Sequence, residues 1–252
     1  MEIHKLVEKA FKRDLSDPSA LSDAFDVLRL LEAQDGFEEA HRRNKEIRRL
    51  SAKYAAERTD MKMFELNKRA LLFDAPYDFQ AYCMYIEWNR ANDKRFYLPR
   101  RKQLLQVVKA LQRLADDELD LLAVSMPPGT GKSTLAIFFL TWLAGRNPEK
   151  PILGGSHSNA FLRGVYDECL RIMDAQGDYL WHDVFPKVQI IKTNAQDMMI
   201  DLGEDKRKGK RFATLEFSSI GSGNAGKVRA ENLLYCDDLV SDIQQAMSKD
   251  RL

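Results

Sequence analysis

A glycine-rich segment, Met126–Thr134, carries the chemistry that the sequence signals most strongly. It reads MPPGTGKST and lies between Leu119–Met126, a run typical of a buried strand, and an apolar run typical of a helix from Gly131 to about Leu143. Glycines let backbone N–H groups turn toward a phosphate, and the positive end of a helix dipole favours the same anion. The pattern is that of a Walker A phosphate-binding loop, with Met126 where the first glycine of G-x-x-x-x-G-K-[ST] belongs.

We therefore expect this loop to bind ATP together with Mg²⁺. Lys132 can reach the β- and γ-phosphates, and the hydroxyl of Ser133 can ligate the metal. The residues assigned to the nucleotide here are Pro128, Gly129, Thr130, Gly131, Lys132, Ser133 and Thr134.

Two adjacent carboxylates, Asp237 and Asp238, follow the apolar run at 233–236. A carboxylate at a strand end is the pattern of a Walker B motif. Asp237 is assigned to the Mg²⁺, and Asp238 stands where hydrolytic motors carry a glutamate that polarises the attacking water. Aspartate is one methylene shorter, so Asp238 can act as this base only if the site is drawn in to compensate. The sequence thus predicts Lys132 and Asp238 as catalytic residues, and Ser133 and Asp237 as metal ligands.

The elements around these residues alternate between strand and helix patterns. Beyond the loop helix, the predicted elements are a strand at Pro151–Gly155, a helix at Asn159–Met173, antiparallel hairpin strands between Val188 and Ser218, and a strand at Leu233–Cys236. Alternation of this kind predicts an α/β fold, a P-loop NTPase with a mostly parallel, doubly wound sheet. The 105 positions between Lys132 and Asp237 favour the motor ATPase type that has an additional strand.

The first 92 residues show helical periodicity and frequent charge instead. The predicted helices follow the start signal at Ser16–Ser19, run from Phe37 into the fifties, cover Met61–Phe73, and follow Pro76. We therefore expect an N-terminal helical region at 1–92 and an ATPase core at 93–252 that is truncated before a further domain.

Two features of the helical region have alternative interpretations. The aromatic residues between Tyr77 and Trp88 are typical of a core, with base stacking as the alternative. The basic cluster between His41 and Arg49 is a solvated helix face or a site for nucleic acid or a partner.

The composition is that of a folded chain. Its 252 residues are enough for one large domain or two modest ones, and 44% are hydrophobic. The 39 Lys+Arg and 38 Asp+Glu give a net charge of +1, so any contact with nucleic acid needs a local basic patch. Three separated cysteines argue against a disulfide framework and a Cys-based zinc site. Without a signal-peptide pattern or a bilayer-spanning run, we expect a soluble cytoplasmic protein that does not contact membranes.

Three segments taken together resemble a known family. They read SMPPGTGKSTL from Ser125, GGSHSNAFLRG from Gly154 and IGSGNAGKVRAENLLYCDDLVSD from Ile220. In this order they resemble the ATPase half of the large terminase subunit of tailed double-stranded DNA bacteriophages, over about residues 97–252. The glycine-rich segment ahead of the paired aspartates is the strongest element, because the phosphate loop alone fits many families.

This resemblance implies a motor that couples ATP hydrolysis to translocation of double-stranded DNA into a procapsid. It implies a homo-oligomeric ring on the portal protein, a small terminase subunit as partner, and a location in the cytoplasm of the bacterial host and transiently on the procapsid. Full-length members carry a C-terminal nuclease domain with clustered carboxylates. No such cluster is visible in this sequence, so nuclease activity is not expected from it.

The resemblance also implies a catalytic cation that reaches the γ-phosphate of a neighbouring subunit. Arg229 in the glycine-rich segment is the first candidate, followed by Lys227 and then Arg163; each has a surface cation as its alternative. The basic run Lys206–Arg211 lies between predicted hairpin strands, where it could contact the DNA backbone or form an exposed turn.

Residues upstream of the loop strand often hold the adenine in such motors. Arg101 and Gln103, with Tyr97 beside them, are at that location and are assigned to the nucleotide. An ordinary amphipathic helix start is the alternative.

Two other functions fit the same residues. The loop also resembles that of AAA+ and helicase-type ATPases acting on nucleic acid. A non-enzymatic alternative is an assembly module that binds ATP, docks to a portal or small-terminase partner and turns over little by itself.

Overall fold

The computed structural model describes residues 2–34, 36–204, 212–219 and 230–239. The chain divides into two compact units, an N-terminal unit at Met1–Trp88 and a C-terminal unit at Asn89–Leu252. None of the helices in the described ranges combines the length and the apolar character that crossing a membrane requires.

The N-terminal unit is helical. Its helices are α1 (Glu2–Phe11), α2 (Pro18–Glu32), α3 (Phe37–Arg58), α4 (Met61–Asp74) and α5 (Phe79–Tyr85). Asp17, Asp60 and Asp78 are the N-cap residues of α2, α4 and α5. Each carboxylate accepts at least one hydrogen bond from a backbone N–H group of the first turn. The predicted helices are confirmed to within a few residues.

The core of this unit is built from the apolar stripes of its helices. The apolar face of α2, formed by Leu21, Phe25, Leu28 and Leu31, is buried. Phe79, Tyr82 and Tyr85 of the aromatic stretch are buried as well, which confirms the core interpretation for them, whereas Tyr77 is exposed.

A charge network joins three helices of the N-terminal unit around Asp74, a carboxylate that is only 2% exposed. His41 Nδ1 lies 2.7 Å from one Asp74 oxygen, and Arg48 donates to the other oxygen at 2.7 Å. The second ring nitrogen of His41 lies 3.1 Å from Glu32. Burial lowers the pKa of His41, but the hydrogen bonds and charges of Asp74 and Glu32 outweigh it, so this pKa is raised above its ordinary value. Part of the basic cluster of α3 therefore serves internal pairing.

The unfolding free energy of the N-terminal unit is expected to fall as pH rises. A raised folded-state pKa means that the folded chain holds the His41 proton more tightly than the unfolded chain does. The stabilisation is complete below the ordinary histidine pKa of about 6.5 and is lost as pH rises through the raised value. Urea unfolding of the full chain, followed by helical circular dichroism across this pH window, measures the loss. His41→Gln is the control, and an equal pH dependence in this variant would contradict the assignment.

The C-terminal unit combines helices with one sheet. Its helices are α6 (Tyr97–Ala115), α7 (Lys132–Arg146), α8 (Asn159–Ile172) and α9 (Trp181–Val184), with a 3₁₀ turn at Asn92–Lys94; its strands are β1 (Ile152–Ser156), β2 (Gln189–Asn194), β3 (Met199–Gly203), β4 (Leu215–Ser219) and β5 (Leu233–Cys236). The strand order is β2-β3-β4-β1-β5. β1 runs parallel to β4 and β5, whereas β3 runs antiparallel to β2 and β4.

Helix α7 is fixed by burial over most of its circumference. Leu135, Phe138 and Trp142 lie in the core. Near its end, a Cβ on Gly145 would lie 2.3 Å from the Phe185 ring, so the ring packs where only a glycine leaves room. Such a helix cannot rotate or shift without opening the core, which fixes the direction in which its first turn points.

The prediction of a doubly wound P-loop sheet is wrong. The described residues form a small mixed sheet in a helix-rich chain, and the predicted strand Leu119–Met126 is not part of that sheet. Exposure alternates along this segment, with Leu122 and Val124 half-buried and Leu121 84% exposed. The half-buried side chains and those of β5 flank an apolar cavity of about 180 Å³. An apolar run is typical of an extended segment, but the run alone does not specify a hydrogen-bonded neighbouring strand.

Candidate functional site

The glycine-rich loop ends in an open helix N-terminus. Gly129 and Gly131 have φ angles of 77° and 96°, in the region that favours glycine. Gly131 precedes α7, and no side chain in the described part of the chain caps this helix end. The first N–H groups of a helix have no intrahelical partner, so they are available to an anion. Thr130 holds the turn closed by donating from its hydroxyl to the Pro127 carbonyl at 2.8 Å.

One wall of the site comes from the start of α6. Phe96 and Arg100 line a cavity of about 510 Å³ together with the loop, a volume within the range of about 300–1,000 Å³ for small-molecule sites. A Cβ on Gly131 would lie 2.4 Å from the Phe96 ring, so the loop packs against this ring. Neither residue was among those predicted for the site. Their spacing of four, which places them on one helix face, was the signal present.

The predicted adenine contacts lie elsewhere on α6. Arg101 and Gln103 are exposed and do not line this cavity, and Tyr97 is buried in the core. Tyr97, Leu104 and Val108 form the inward face of the helix, and this face determines which of its other positions turn toward the loop.

The two predicted motifs meet at Lys132 and Asp237. Lys132 Nζ lies 2.7 Å from Asp237 Oδ1, and Ser133 Oγ lies 3.4 Å from Asp237 Oδ2. Asp237 is buried at the end of β5, with 8% of its surface exposed. The structure therefore brings together the loop lysine, the loop hydroxyl and the strand-end carboxylate.

Tyr235 orients the Asp237 carboxylate. These residues are two apart, so their side chains leave β5 on the same face. The Tyr235 hydroxyl donates to Asp237 Oδ2 at 3.0 Å. Burial, together with the charge and hydrogen bond of Asp237, raises the pKa of Tyr235 far above its ordinary value, so the phenol keeps its proton and remains a donor. In the sequence, Tyr235 is part of an apolar run, and its role beside Asp237 was not predicted.

Asp238 is held by its backbone rather than by its side chain. Its φ is 54°, in the left-handed region that aspartate tolerates better than most residues. His157, directly after β1, donates to the Asp238 carbonyl from its backbone N–H at 3.1 Å and from ring Nδ1 at 2.5 Å. A carbonyl only accepts, so Nδ1 carries the ring proton. The Asp238 side chain is exposed, and no described residue forms a hydrogen bond or an ion pair with its carboxylate.

Of the remaining predicted cations, the structure describes only Arg163, whose contacts lie away from the Lys132–Asp237 pair. Arg163 donates to the Ala195 carbonyl and lies over the Tyr166 ring at 5.6 Å. Arg229, Lys227 and the basic run Lys206–Arg211 lie outside the described residues, as does most of the glycine-rich segment before β5.

Comparisons with family models, with curated proteins and with solved structures found no match for this chain.

Replacing Gly131 by alanine is expected to lower the unfolding free energy of the C-terminal unit. Alanine at φ 96° is strained by about 1–2 kcal/mol, and its Cβ would also meet the Phe96 ring. The matched control is Gly164→Ala within α8, where nothing lies within 4 Å of the added Cβ. That change should raise stability by about 0.5–1 kcal/mol. Urea unfolding measures both, and a Gly131→Ala chain as stable as wild type would contradict the described packing.

Proposed function

We propose that this chain binds ATP with Mg²⁺ at the glycine-rich loop and hydrolyses it. The observation that carries the proposal is the convergence of Lys132, Ser133 and Asp237 across 105 positions of sequence, at distances of 2.7 and 3.4 Å. The proposal rests on this site and not on the sheet architecture, which is mixed.

The donor set fits both parts of the ligand. The open N-terminus of α7 and the ammonium of Lys132 are the groups that phosphates select. A hydroxyl and a carboxylate, from Ser133 and Asp237, are the hard oxygen ligands that Mg²⁺ prefers, and Mg²⁺ usually keeps several waters besides. Among the described residues, no cluster of three or more His, Cys, Asp or Glu side chains is placed to hold a metal. The proposed metal is therefore one shared with the nucleotide.

Each residue of the site has a separate task in the proposed reaction. Lys132 and the backbone N–H groups of the loop bind and orient the β- and γ-phosphates. Mg²⁺, when bound, supplies charge neutralisation at the phosphate oxygens. Asp237 holds the metal, directly or through water, and Tyr235 keeps its carboxylate oriented. Asp238 accepts a proton from the attacking water, with His157 fixing the backbone that carries it.

For the larger role, we propose the ATPase part of a DNA-packaging motor. The order and composition of the loop, the segment from Gly154 and the segment before Asp237 support it, because together they resemble the large terminase subunit. The proposed partners are double-stranded DNA, the portal protein and the small terminase subunit, with the chain in a homo-oligomeric ring. Arg229 remains the proposed trans-acting arginine.

Lys132→Ala is expected to lower kcat/KM for ATP by about 10²–10³-fold, the usual loss when one preorganised charge-stabilising donor is removed. Steady-state phosphate release, with and without double-stranded DNA, measures the loss. Lys150→Ala, an exposed lysine shortly after α7, is the matched control and should retain wild-type turnover. Unchanged turnover in Lys132→Ala would sink the site assignment.

Asp238→Asn is expected to lower kcat by about 10²–10⁴-fold, the contribution of a positioned general base. Affinity for Mg·ATP should stay near wild type, because Asp238 is assigned to the water and not to the nucleotide. Single-turnover kinetics and calorimetric binding separate the two quantities. A lost affinity with an intact kcat would show that Asp238 binds nucleotide and is not the base.

A further inference from the structure

The Lys132–Asp237 contact joins two groups that the proposed function assigns to different parts of the ligand. Lys132 is assigned to the phosphates and Asp237 to the divalent cation. In the structure each is engaged by the other at 2.7 Å, with the lysine side chain 42% exposed and the aspartate side chain 10% exposed. Ser133 Oγ, the other candidate metal ligand, also lies near the same carboxylate.

We propose that this ion pair is a latch that makes the triphosphate and the divalent cation bind cooperatively, each releasing the group that the other needs. A phosphate that draws Lys132 away leaves the Asp237 carboxylate open to a cation. A cation that takes Asp237 leaves Lys132 open to a phosphate. This inference rests on the proposed function, since it assumes that ATP binds at the loop.

The burial of Asp237 gives the latch its strength. A carboxylate held away from water needs a positive partner, because an unpaired buried charge is strongly unfavourable. When nucleotide binds without a metal, Lys132 moves to the phosphates. Among the described residues, Asp237 then keeps the hydroxyls of Tyr235 and Ser133 as partners but no positive charge, while it faces added negative charge. The intact ion pair therefore weakens the binding of metal-free ATP to the protein.

The latch predicts an unusual effect of removing a candidate metal ligand. Asp237→Asn should bind ATP more tightly than wild type in EDTA, because Lys132 is then free and the charge of Asp237 no longer opposes the phosphates. We expect a gain of about tenfold, in the range of coupling measured for close charge pairs. With Mg²⁺ present, wild type should gain affinity strongly and Asp237→Asn should gain little. Isothermal titration calorimetry with ATP measures all four affinities.

A control separates the latch from a general effect of lost negative charge. Asp120 lines the same cavity of about 180 Å³ as Asp237, is exposed, and forms no ion pair with any described residue. Asp120→Asn should bind metal-free ATP within about twofold of wild type, as expected for an exposed charge under screening. An equal gain in Asp120→Asn and Asp237→Asn would overturn the latch.

The reciprocal half of the coupling is measured with a metal alone. Thermodynamic linkage requires that releasing Asp237 from Lys132 favour the cation. Lys132→Met should therefore bind Mn²⁺, titrated by electron paramagnetic resonance without nucleotide, more tightly than wild type. Weaker or equal Mn²⁺ binding would overturn the latch.

Failure of the latch and failure of the proposed function give different results. If wild type binds Mg·ATP and Lys132→Ala does not, but Asp237→Asn fails to tighten metal-free binding, the latch is wrong and the ATP site stands. If wild type binds no Mg·ATP, the ATP site itself is wrong.

Discussion

The candidate site in the C-terminal unit depends on the ion pair between Lys132 and Asp237. It ties the first residue of α7 to the residue that follows β5, across 105 positions of sequence. Its two ends are positioned independently. The buried circumference of α7 aims the lysine, and the parallel pairing of β5 with β1 places the carboxylate at the strand end. The two side chains therefore meet only if both α7 and β5 are packed as described.

The parallel strands also explain why the second carboxylate lies close by. The carboxyl ends of β1 and β5 reach the same edge of the sheet, so His157 after β1 can donate to the Asp238 carbonyl. In open sheets with parallel strands, ligand sites form at this edge. The antiparallel half of the sheet, β2 and β3, contributes no residue to the site among those described. An antiparallel extension is thus compatible with the chemistry even though it excludes the doubly wound architecture.

Local signals in the sequence predicted most of the elements and the two motifs. Glycine spacing located the loop, apolar periodicity located α7, and the run before Asp237 located β5. Sheet membership could not be predicted in the same way. Leu119–Met126 has the apolar run of a buried strand, but among the described residues it has no hydrogen-bonded neighbouring strand. The supporting residues of the site were missed for a related reason. His157 and Phe96 act through contacts distant in sequence, which leave no pattern in residue type. Tyr235 acts on a residue only two positions away, but its place in an apolar run gives no sign of that hydrogen bond.

The most direct test of this account is a double-mutant cycle on the pair itself. Lys132→Met, Asp237→Asn and the double variant would each carry Trp88→Phe and be unfolded in urea without nucleotide, so that the fluorescence of Trp142 and Trp181 reports on the C-terminal unit. If the two side chains form the ion pair described above, we expect a coupling energy of about 1–2 kcal/mol, between the values for exposed and buried ion pairs. Strictly additive effects of the two substitutions would contradict it, because they would mean that the lysine and the carboxylate do not meet.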